Sequence, residues 1–140
     1  MNKLFLLFTL FLSSCGFVYY TYSTPKYNLT GDYKVTVSNK QTKLSCAGKY
    51  EVFESNIKII VNELGMYDIM FDDFVFYNAQ PIKNSFNVLA KRRSLEKSLQ
   101  IILYDNFIEG VYFTEYLAGY TCCMEKYIIK GYRINNGVTP

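Results

Sequence analysis

The side chains that usually carry out catalysis are sparse in this 140-residue sequence. It contains no histidine, which excludes catalysis by a Ser-His-Asp triad or a Cys-His pair. Asp72 and Asp73 could serve acid–base chemistry, but neighbouring residues of a strand face opposite sides and cannot share a site unless a bulge turns one of them. We therefore interpret this pair as a turn or bulge, and we predict that the protein is not an enzyme.

Cofactor and nucleic-acid binding also lack a signature. The glycines are isolated and form no Walker or Rossmann pattern. The formal charge is only +3, and the basic residues are scattered apart from the cluster Lys91-Arg92-Arg93. We expect no cofactor, no metal ion and no nucleic-acid partner.

The most specific pattern lies at the start of the chain. Lys3 supplies a positive charge, residues 4–12 form an apolar run, and the small residues Ser13 and Ser14 follow before Cys15. The apolar run is less than half of the roughly 20 residues that a membrane-spanning helix needs. This arrangement is typical of a signal peptide with a cleavage site.

The stretch Leu12-Ser13-Ser14-Cys15 resembles the lipobox of bacterial lipoproteins. The resemblance implies that residues 1–14 are a signal peptide, that Cys15 carries a diacylglyceryl thioether, and that the protein is anchored to a membrane of the cell envelope. Gly16 stands where some lipoproteins have aspartate, which resembles lipoproteins sent on to the outer membrane. Two alternatives remain open: ordinary signal-peptide cleavage, and an uncleaved anchor that continues through Tyr20.

Residues 15–29 and 30–140 differ in character. Residues 15–29 comprise the lipidated cysteine and a partly polar segment with several tyrosines, which suit either a membrane interface or an edge strand. We interpret this segment as a tether. Residues 30–140 form the folded domain in this interpretation.

The folded domain alternates apolar and polar residues repeatedly, as in Tyr33, Val35 and Val37. Short polar segments separate the alternating runs at intervals of roughly ten residues, which predicts about eight strands and no helix. We place turns at residues 54–56 and 115–119 and a polar loop at 91–98, and we predict strand bends at Gly110 and Gly131. The fold class is all-β: a single antiparallel meander that closes into a small lipocalin/calycin-like barrel.

The layout of this domain resembles that of the calycin-like β-barrel lipoproteins. Their first strand opens with a Gly-x-Tyr pattern, which appears here as Gly31-Asp32-Tyr33, and their last strand is long. The Gly-x-Trp signature of lipocalins is absent because the chain has no tryptophan.

Three cysteines remain once Cys15 is assigned to the lipid: Cys46, Cys122 and Cys123. In an exported protein, one disulfide from Cys46 to Cys122 or Cys123 is the simplest prediction, because adjacent strand residues face opposite sides. Fully reduced cysteines are the alternative. A metal site of three cysteines has no histidine to complete it.

Tyrosines provide the remaining candidates for a binding surface. The chain has 14 of them, and Tyr112, Tyr116 and Tyr120 lie on and around one predicted loop. Tyrosine offers a large contact area with a polar tip, although it is also a favoured strand residue. We expect a non-catalytic binding or interaction module of the cell envelope. The alternatives are a carrier of a small apolar ligand within the barrel, and a periplasmic inhibitor of a secreted enzyme.

Overall fold

The computed structural model describes residues 25, 27–40, 51–118 and 121–134. These residues form eight antiparallel strands of one sheet and contain no helix, which confirms the predicted all-β meander. The strands are β1 (Gly31–Lys40), β2 (Val52–Val61), β3 (Tyr67–Phe71), β4 (Phe74–Ala79), β5 (Ser85–Arg92), β6 (Leu95–Leu103), β7 (Phe107–Ala118) and β8 (Thr121–Ile134).

The sheet curls into a nearly closed barrel. Its strand order is β4-β3-β2-β1-β8-β7-β6-β5, so the first and last strands pair with each other. Their register runs from Asp32 opposite Ile134 to Lys40 opposite Lys126. The two edges, β4 and β5, lie against each other but are not hydrogen-bonded neighbours. This seam is where the barrel remains open.

Three segments that the sequence indicated as turns or loops belong to strands instead. Residues 54–56 lie inside β2, opposite residues 34–36 of β1, while residues 95–98 begin β6 and residues 115–118 end β7. The predicted turns were wrong because the backbone makes the ladder hydrogen bonds, so polar side chains do not by themselves end a strand. The predicted strand over residues 44–50 lies outside the described residues.

Two glycines mark places where neighbouring strands approach most closely. A Cβ atom on Gly110 would lie 2.1 Å from the Gln100 carbonyl oxygen, and one on Gly131 would lie 2.1 Å from the Lys34 carbonyl oxygen. No other residue type has a side chain small enough for such contact. The glycines at these positions therefore have a steric basis, whereas the strand bends stay a prediction.

One apolar cluster fills the inside of the barrel. It draws side chains from all eight strands. Eighteen residues form it: Leu29, Tyr33, Val35, Val37, Ile57, Ile59, Ile69, Phe71, Phe74, Phe76, Ala79, Phe86, Leu99, Ile101, Leu103, Ile108, Tyr112 and Ile129.

The segment before β1 covers one end of the barrel. Leu29 is almost fully buried in the core, and its carbonyl oxygen accepts a hydrogen bond of 3.2 Å from the Tyr33 hydroxyl. The Arg133 guanidinium donates to the carbonyl oxygens of Thr30, at 2.7 Å, and of Asn28, and to the Tyr33 hydroxyl at 2.7 Å. Among the described residues, Leu29 is thus the first that belongs to the core.

Candidate functional site

The end of the barrel opposite Leu29 is lined differently, and we call it the mouth. It is formed by the end of β1, the start of β2, the β3–β4 and β5–β6 turns, the end of β7 and the start of β8. Residues that pair across β6, β7 and β8 form rows of three, and every second row faces into the barrel. These inward-facing rows change from apolar to polar towards the mouth. From the closed end these rows are Leu103/Ile108/Gly131, Ile101/Gly110/Ile129, Leu99/Tyr112/Tyr127, Lys97/Thr114/Glu125 and Leu95/Tyr116/Cys123.

The fourth row places three polar residues side by side. Lys97 pairs with Thr114, and Thr114 pairs with Glu125, so neighbouring side chains start about 5 Å apart. Lys97 and Glu125 are each only 5% exposed. Together with Asn39 of β1, these three are all of the buried polar residues in the described part of the chain. The mouth therefore concentrates the polar groups that the barrel buries.

Lys97 is held by the β3–β4 turn. Its ammonium nitrogen lies 2.8 Å from Asp73 Oδ1 and 3.2 Å from Asp72 Oδ2, and 4.1 Å from the centre of the Phe74 ring. Both aspartates are confirmed as a turn between strands, and Asp72 adopts a φ of 58°. Both can therefore contact Lys97, because the alternation that would separate neighbouring residues of a strand does not apply within a turn.

Burial and the neighbouring polar groups shift the pKa of Lys97 in opposite directions. Burial alone lowers the pKa of the ammonium, but the hydrogen bond to Asp73, the neighbouring Tyr112 hydroxyl and Asp72 raise it, and the net pKa is above its usual range. The same contact with Lys97 lowers the pKa of the Asp73 carboxyl, despite a small opposing effect of burial. Lys97 therefore remains charged at neutral pH while it is almost removed from solvent.

Tyr112 lies one row below Lys97, and its hydroxyl is buried without a hydrogen-bond partner among the described residues. The residue is 3% exposed. Its hydroxyl is near enough to Lys97 to influence the pKa of that group, but the two do not meet hydrogen-bonding geometry. Burial, opposed by Lys97 and reinforced by Asp72 and Asp73, raises the pKa of Tyr112 to about 12.

These groups surround a pocket of about 370 Å³ that opens at the mouth. Of its aromatic residues, Tyr112 contacts Tyr127 with ring centres 5.8 Å apart, and Tyr112 also contacts the core residue Phe71 at 4.8 Å. Phe53 meets Tyr127 edge to face at 6.2 Å. The lining consists of Phe53, Asp72, Lys97, Tyr112, Thr114, Tyr116, Glu125 and Tyr127.

The tyrosines proposed as a binding surface occupy different positions. Tyr112 faces into the barrel and belongs to the core, which is the other of the two interpretations that the sequence left open. Tyr116 is 51% exposed at the rim of the same pocket. Tyr120 lies outside the described residues. The structure thus brings Tyr112 and Tyr116 together on one pocket, at different depths.

The cysteines are only partly within the described residues. Cys15 and Cys46 lie outside them, and the Cys122 side chain is not described. Cys123 lies in β8 opposite Tyr116, in the row closest to the mouth.

Lys97 and Glu125 were missed as site residues. Lys97 was assigned to a polar loop. In the sequence it nevertheless alternates in step with the apolar residues Leu95, Leu99, Ile101 and Leu103, which face the inside of the barrel. A charged residue in the apolar phase of a strand is a usable signal, because burying it requires compensating partners. Glu125 has no comparable flanking pattern in the sequence.

The pocket presents both charged and hydroxyl-bearing side chains. Its polar side chains can donate and accept hydrogen bonds and hold charge, and no imidazole stands beside its hydroxyls to activate them. Within the described residues, no group of three or more metal-ligating side chains is close enough to hold a metal ion.

The fold and the pocket define a small antiparallel β-barrel protein with a polar, aromatic mouth. No protein-family model matches the sequence, and no curated protein matches it significantly. The described residues also include no helix with the length and apolarity to cross a membrane.

Replacing Tyr112 with phenylalanine is expected to raise the free energy of unfolding of the ligand-free protein by about 1 kcal/mol, because it removes a buried hydroxyl that lacks a partner. Urea unfolding followed by circular dichroism measures the change. The control is Tyr104→Phe at the closed end, which removes an exposed 3.0 Å hydrogen bond to Glu109. We expect the control to shift stability by under about 0.5 kcal/mol. A clear loss of stability in Tyr112→Phe would contradict the interpretation.

Proposed function

We propose that this protein is a lipid-anchored protein of the bacterial cell envelope that binds a ligand, without catalysis, in the pocket at the mouth of its barrel. The anchoring part rests on the lipobox-like stretch Leu12 to Cys15. The binding part rests on the pocket and its polar groups. The ligand is either a small molecule or a side chain presented by an envelope protein.

The observation that carries the binding proposal is the Tyr112 hydroxyl. A buried hydroxyl without a partner costs about 1–3 kcal/mol, so its presence calls for a compensating role. The residue Tyr112 lines a pocket that is open to solvent at the mouth and contains a buried ammonium and a buried carboxyl group. A ligand that enters the pocket and displaces the side chains covering this hydroxyl would complete its hydrogen bonding.

The packing of the barrel favours a binding site at the mouth rather than in the interior. A carrier of a small apolar ligand needs an enclosed apolar cavity, whereas small eight-stranded barrels can instead be filled by their own side chains. Here the inward side chains of the strands form one continuous cluster. The pocket above that cluster is polar in part, so it suits a ligand with polar groups.

The binding proposal is tested with the whole protein, purified in a maltoside detergent and labelled with 3-fluorotyrosine. Single Tyr→Phe variants assign the ¹⁹F resonances of Tyr112, Tyr116 and Tyr127, together with Tyr104 at the closed end as an internal control. A library of small polar fragments is then screened. Fragments that shift the mouth tyrosines in a saturable manner, without shifting Tyr104, support the proposal. A library that leaves the mouth unchanged, or shifts both ends equally, contradicts it.

The anchor is tested by replacing Cys15 with serine in a Gram-negative expression host. We expect the unaltered protein to fractionate with membranes and to show an acylated N-terminal cysteine by mass spectrometry. The Cys15→Ser variant should leave the membrane fraction, whereas Cys122→Ser, which keeps the lipobox-like stretch, should remain there. If Cys15→Ser stays with the membranes, the lipid anchor at this residue is disproved.

We also propose that Cys123 pairs with Cys46 in a disulfide. β1 ends at Lys40 opposite Lys126, so the chain leaves β1 towards residue 46 at the same end of the barrel as Cys123. Tandem mass spectrometry of peptides digested without reduction distinguishes this bridge from one to Cys122, which would contradict the pairing.

A further inference from the structure

Three turns connect strands at the closed end of the barrel, where Leu29 enters the core: the β2–β3, β4–β5 and β6–β7 turns. Leu64 in the first turn is 72% exposed and Ile82 in the second is 74% exposed, which makes them the most exposed large apolar side chains in the described part of the chain. Tyr104 and Phe107, at the third turn, are also exposed. Single exposed apolar residues are ordinary, but a group of them at one end of a molecule marks an interaction surface.

Hydrogen bonds fix the two turns that present the most exposed side chains. The Asn62 Oδ1 atom accepts hydrogen bonds from the backbone N–H groups of Leu64, at 3.0 Å, and Met66, at 3.1 Å. Ile82 and Ser85 exchange backbone hydrogen bonds of 2.9 and 3.1 Å, and the Ser85 hydroxyl donates a further one to the Ile82 carbonyl oxygen at 2.8 Å. The apolar side chains are therefore held in place before any partner arrives, which lowers the entropic cost of binding.

The three turns are distributed around one rim. They follow one another around the barrel at intervals of two strands, and the start of β1 beside the end of β8 takes the fourth place. Apolar side chains spaced around a rim touch a flat surface together, whereas they do not enclose a peptide or a small molecule. A bilayer offers such a surface, because apolar side chains can enter the boundary between its headgroups and acyl chains.

The chain that leads to Cys15 leaves the barrel at the same end. Leu29 is buried there, and the Asn28 carbonyl oxygen accepts a hydrogen bond from the Arg133 guanidinium near the end of β8. Leu29 lies fourteen positions after Cys15, so even a fully extended chain between them spans at most about 50 Å. A lipid on Cys15 would therefore draw the closed end, rather than the mouth, towards the membrane.

The two ends of the barrel also differ in the composition of their turns. The two described turns at the mouth, β3–β4 and β5–β6, contain only charged and polar residues. The three turns at the closed end combine their apolar side chains with one charged residue each, which are Glu63, Lys83 and Asp105. Because these charges nearly cancel, docking of the closed end would depend on apolar contact and little on the charge of the lipid headgroups.

From these features we infer that the closed end of the barrel docks on the phospholipid surface of the membrane, with the mouth directed away from it. Leu64, Ile82 and the Tyr104–Phe107 pair, whose ring centres are 5.9 Å apart, would lie in the interface. Tyrosine suits this position, because its ring can be buried there while its hydroxyl stays hydrated. The inference rests on the proposed lipid anchor and adds an orientation that leaves the mouth pocket accessible.

The test uses the whole acylated protein, labelled with 3-fluorotyrosine and reconstituted into phosphatidylcholine nanodiscs. A small fraction of the lipid carries a gadolinium chelate on its headgroup, which broadens the ¹⁹F resonances of tyrosines close to the membrane surface. We expect strong broadening of Tyr104 and little broadening of Tyr116 at the mouth. Replacing part of the phosphatidylcholine with anionic phosphatidylglycerol should leave this difference unchanged, because the contact is apolar.

Variants localise the contact. Leu64→Ser/Ile82→Ser should lower the docked population at least about tenfold, because two apolar side chains are lost from the interface, and the broadening of Tyr104 should fall with it. Both side chains face solvent, so the circular dichroism spectrum should be unchanged. The matched control is Val52→Ser/Leu89→Ser, which removes two exposed apolar side chains that lie outside the closed-end turns and should leave the broadening as it is.

The outcomes separate this inference from the proposed function. If acylated protein stays with the nanodiscs but Tyr104 and Tyr116 are broadened equally, docking is overturned and the anchor stands. Unchanged broadening of Tyr104 in Leu64→Ser/Ile82→Ser also overturns docking. So does a dimer in maltoside detergent that this variant converts to a monomer in analytical ultracentrifugation, because a second copy then covers the closed end. If Cys15 carries no lipid, the proposed anchor fails and the inference fails with it.

Discussion

Replacing both Asp72 and Asp73 with asparagine should lower the free energy of unfolding by about 3 kcal/mol, one of the largest effects expected of any surface substitution in this protein. The two carboxylates are the ionic partners of Lys97, whose side chain is only 6% exposed, so their removal leaves a buried charge without compensation. Urea unfolding at neutral pH measures the loss.

The opposite substitution should be much milder. In Lys97→Met the buried charge disappears, and the aspartates left behind are 53% and 67% exposed, so water solvates them. Replacing a buried ion pair with apolar groups is often neutral or stabilising, and we expect a change within about 1 kcal/mol. The control is Glu54→Gln, which breaks the exposed 2.9 Å ion pair with Lys34 and should cost under about 1 kcal/mol. If Lys97→Met were as destabilising as the double asparagine variant, the explanation would fail.

The pH dependence of the free energy of unfolding gives a second measure of the interaction between Lys97 and the two aspartates. In the unaltered protein folding raises the pKa of Lys97. The contribution of Lys97 to the free energy of unfolding is therefore complete below its unfolded pKa, near 10.4, and is lost as the pH rises through the folded pKa. The pKa of Asp73 is lowered by folding, so its contribution is present above an unfolded pKa of about 3.9 and is lost as the pH falls. In the double asparagine variant burial should lower the pKa of Lys97 instead, so stability should rise as the pH approaches 10.

Replacing Gly131 with alanine should cost about 3 kcal/mol, because the new Cβ would lie 2.1 Å from the Lys34 carbonyl oxygen and 2.7 Å from Val35 Cα. Those atoms belong to the backbone of β1, so the clash is relieved only by separating β1 from β8, the pair that closes the meander. Urea unfolding measures the loss, and hydrogen exchange should show reduced protection along β1.

Gly65→Ala is the matched control. Gly65 has a φ of +74°, which disfavours other residues, but nothing lies within 4 Å of its missing Cβ. We expect its replacement to cost about 1 kcal/mol from backbone conformation alone. Equal costs at Gly65 and Gly131 would mean that close strand contact is not what requires the second glycine.

The sequence was sufficient for the class of fold and for much of the strand layout. The alternation around Tyr33, Val35 and Val37 is a local property, because the period of two follows from the pleat of the backbone. The short turns were harder to place. Residues 54–56 are polar and looked like a turn, but β1 pairs with them, and a partner strand is a non-local fact.

The residues that form the mouth pocket could not be predicted from the sequence. Lys97 lies more than 20 positions after Asp72 and Asp73, and nothing local indicates that the β3–β4 turn reaches it across the open seam. Tyr112 showed the same limit, since strand tyrosines face inward or outward depending on register. The sequence left open whether Tyr112 fills the core or contributes to a binding surface, and its pairing with Leu99 and Tyr127 places it in the core.

The sequence by itself determined the absence of histidine, the alternating apolar pattern of a β domain and the lipobox-like stretch before Cys15, because each of these is contained in a short run of residues or in the composition. Only the tertiary structure decided that Lys97, Thr114 and Glu125 form one buried polar row with an unpartnered tyrosine hydroxyl beneath it. That arrangement depends on the register of three strands and on the closure of the barrel, and register is set by the packing of the whole inner face.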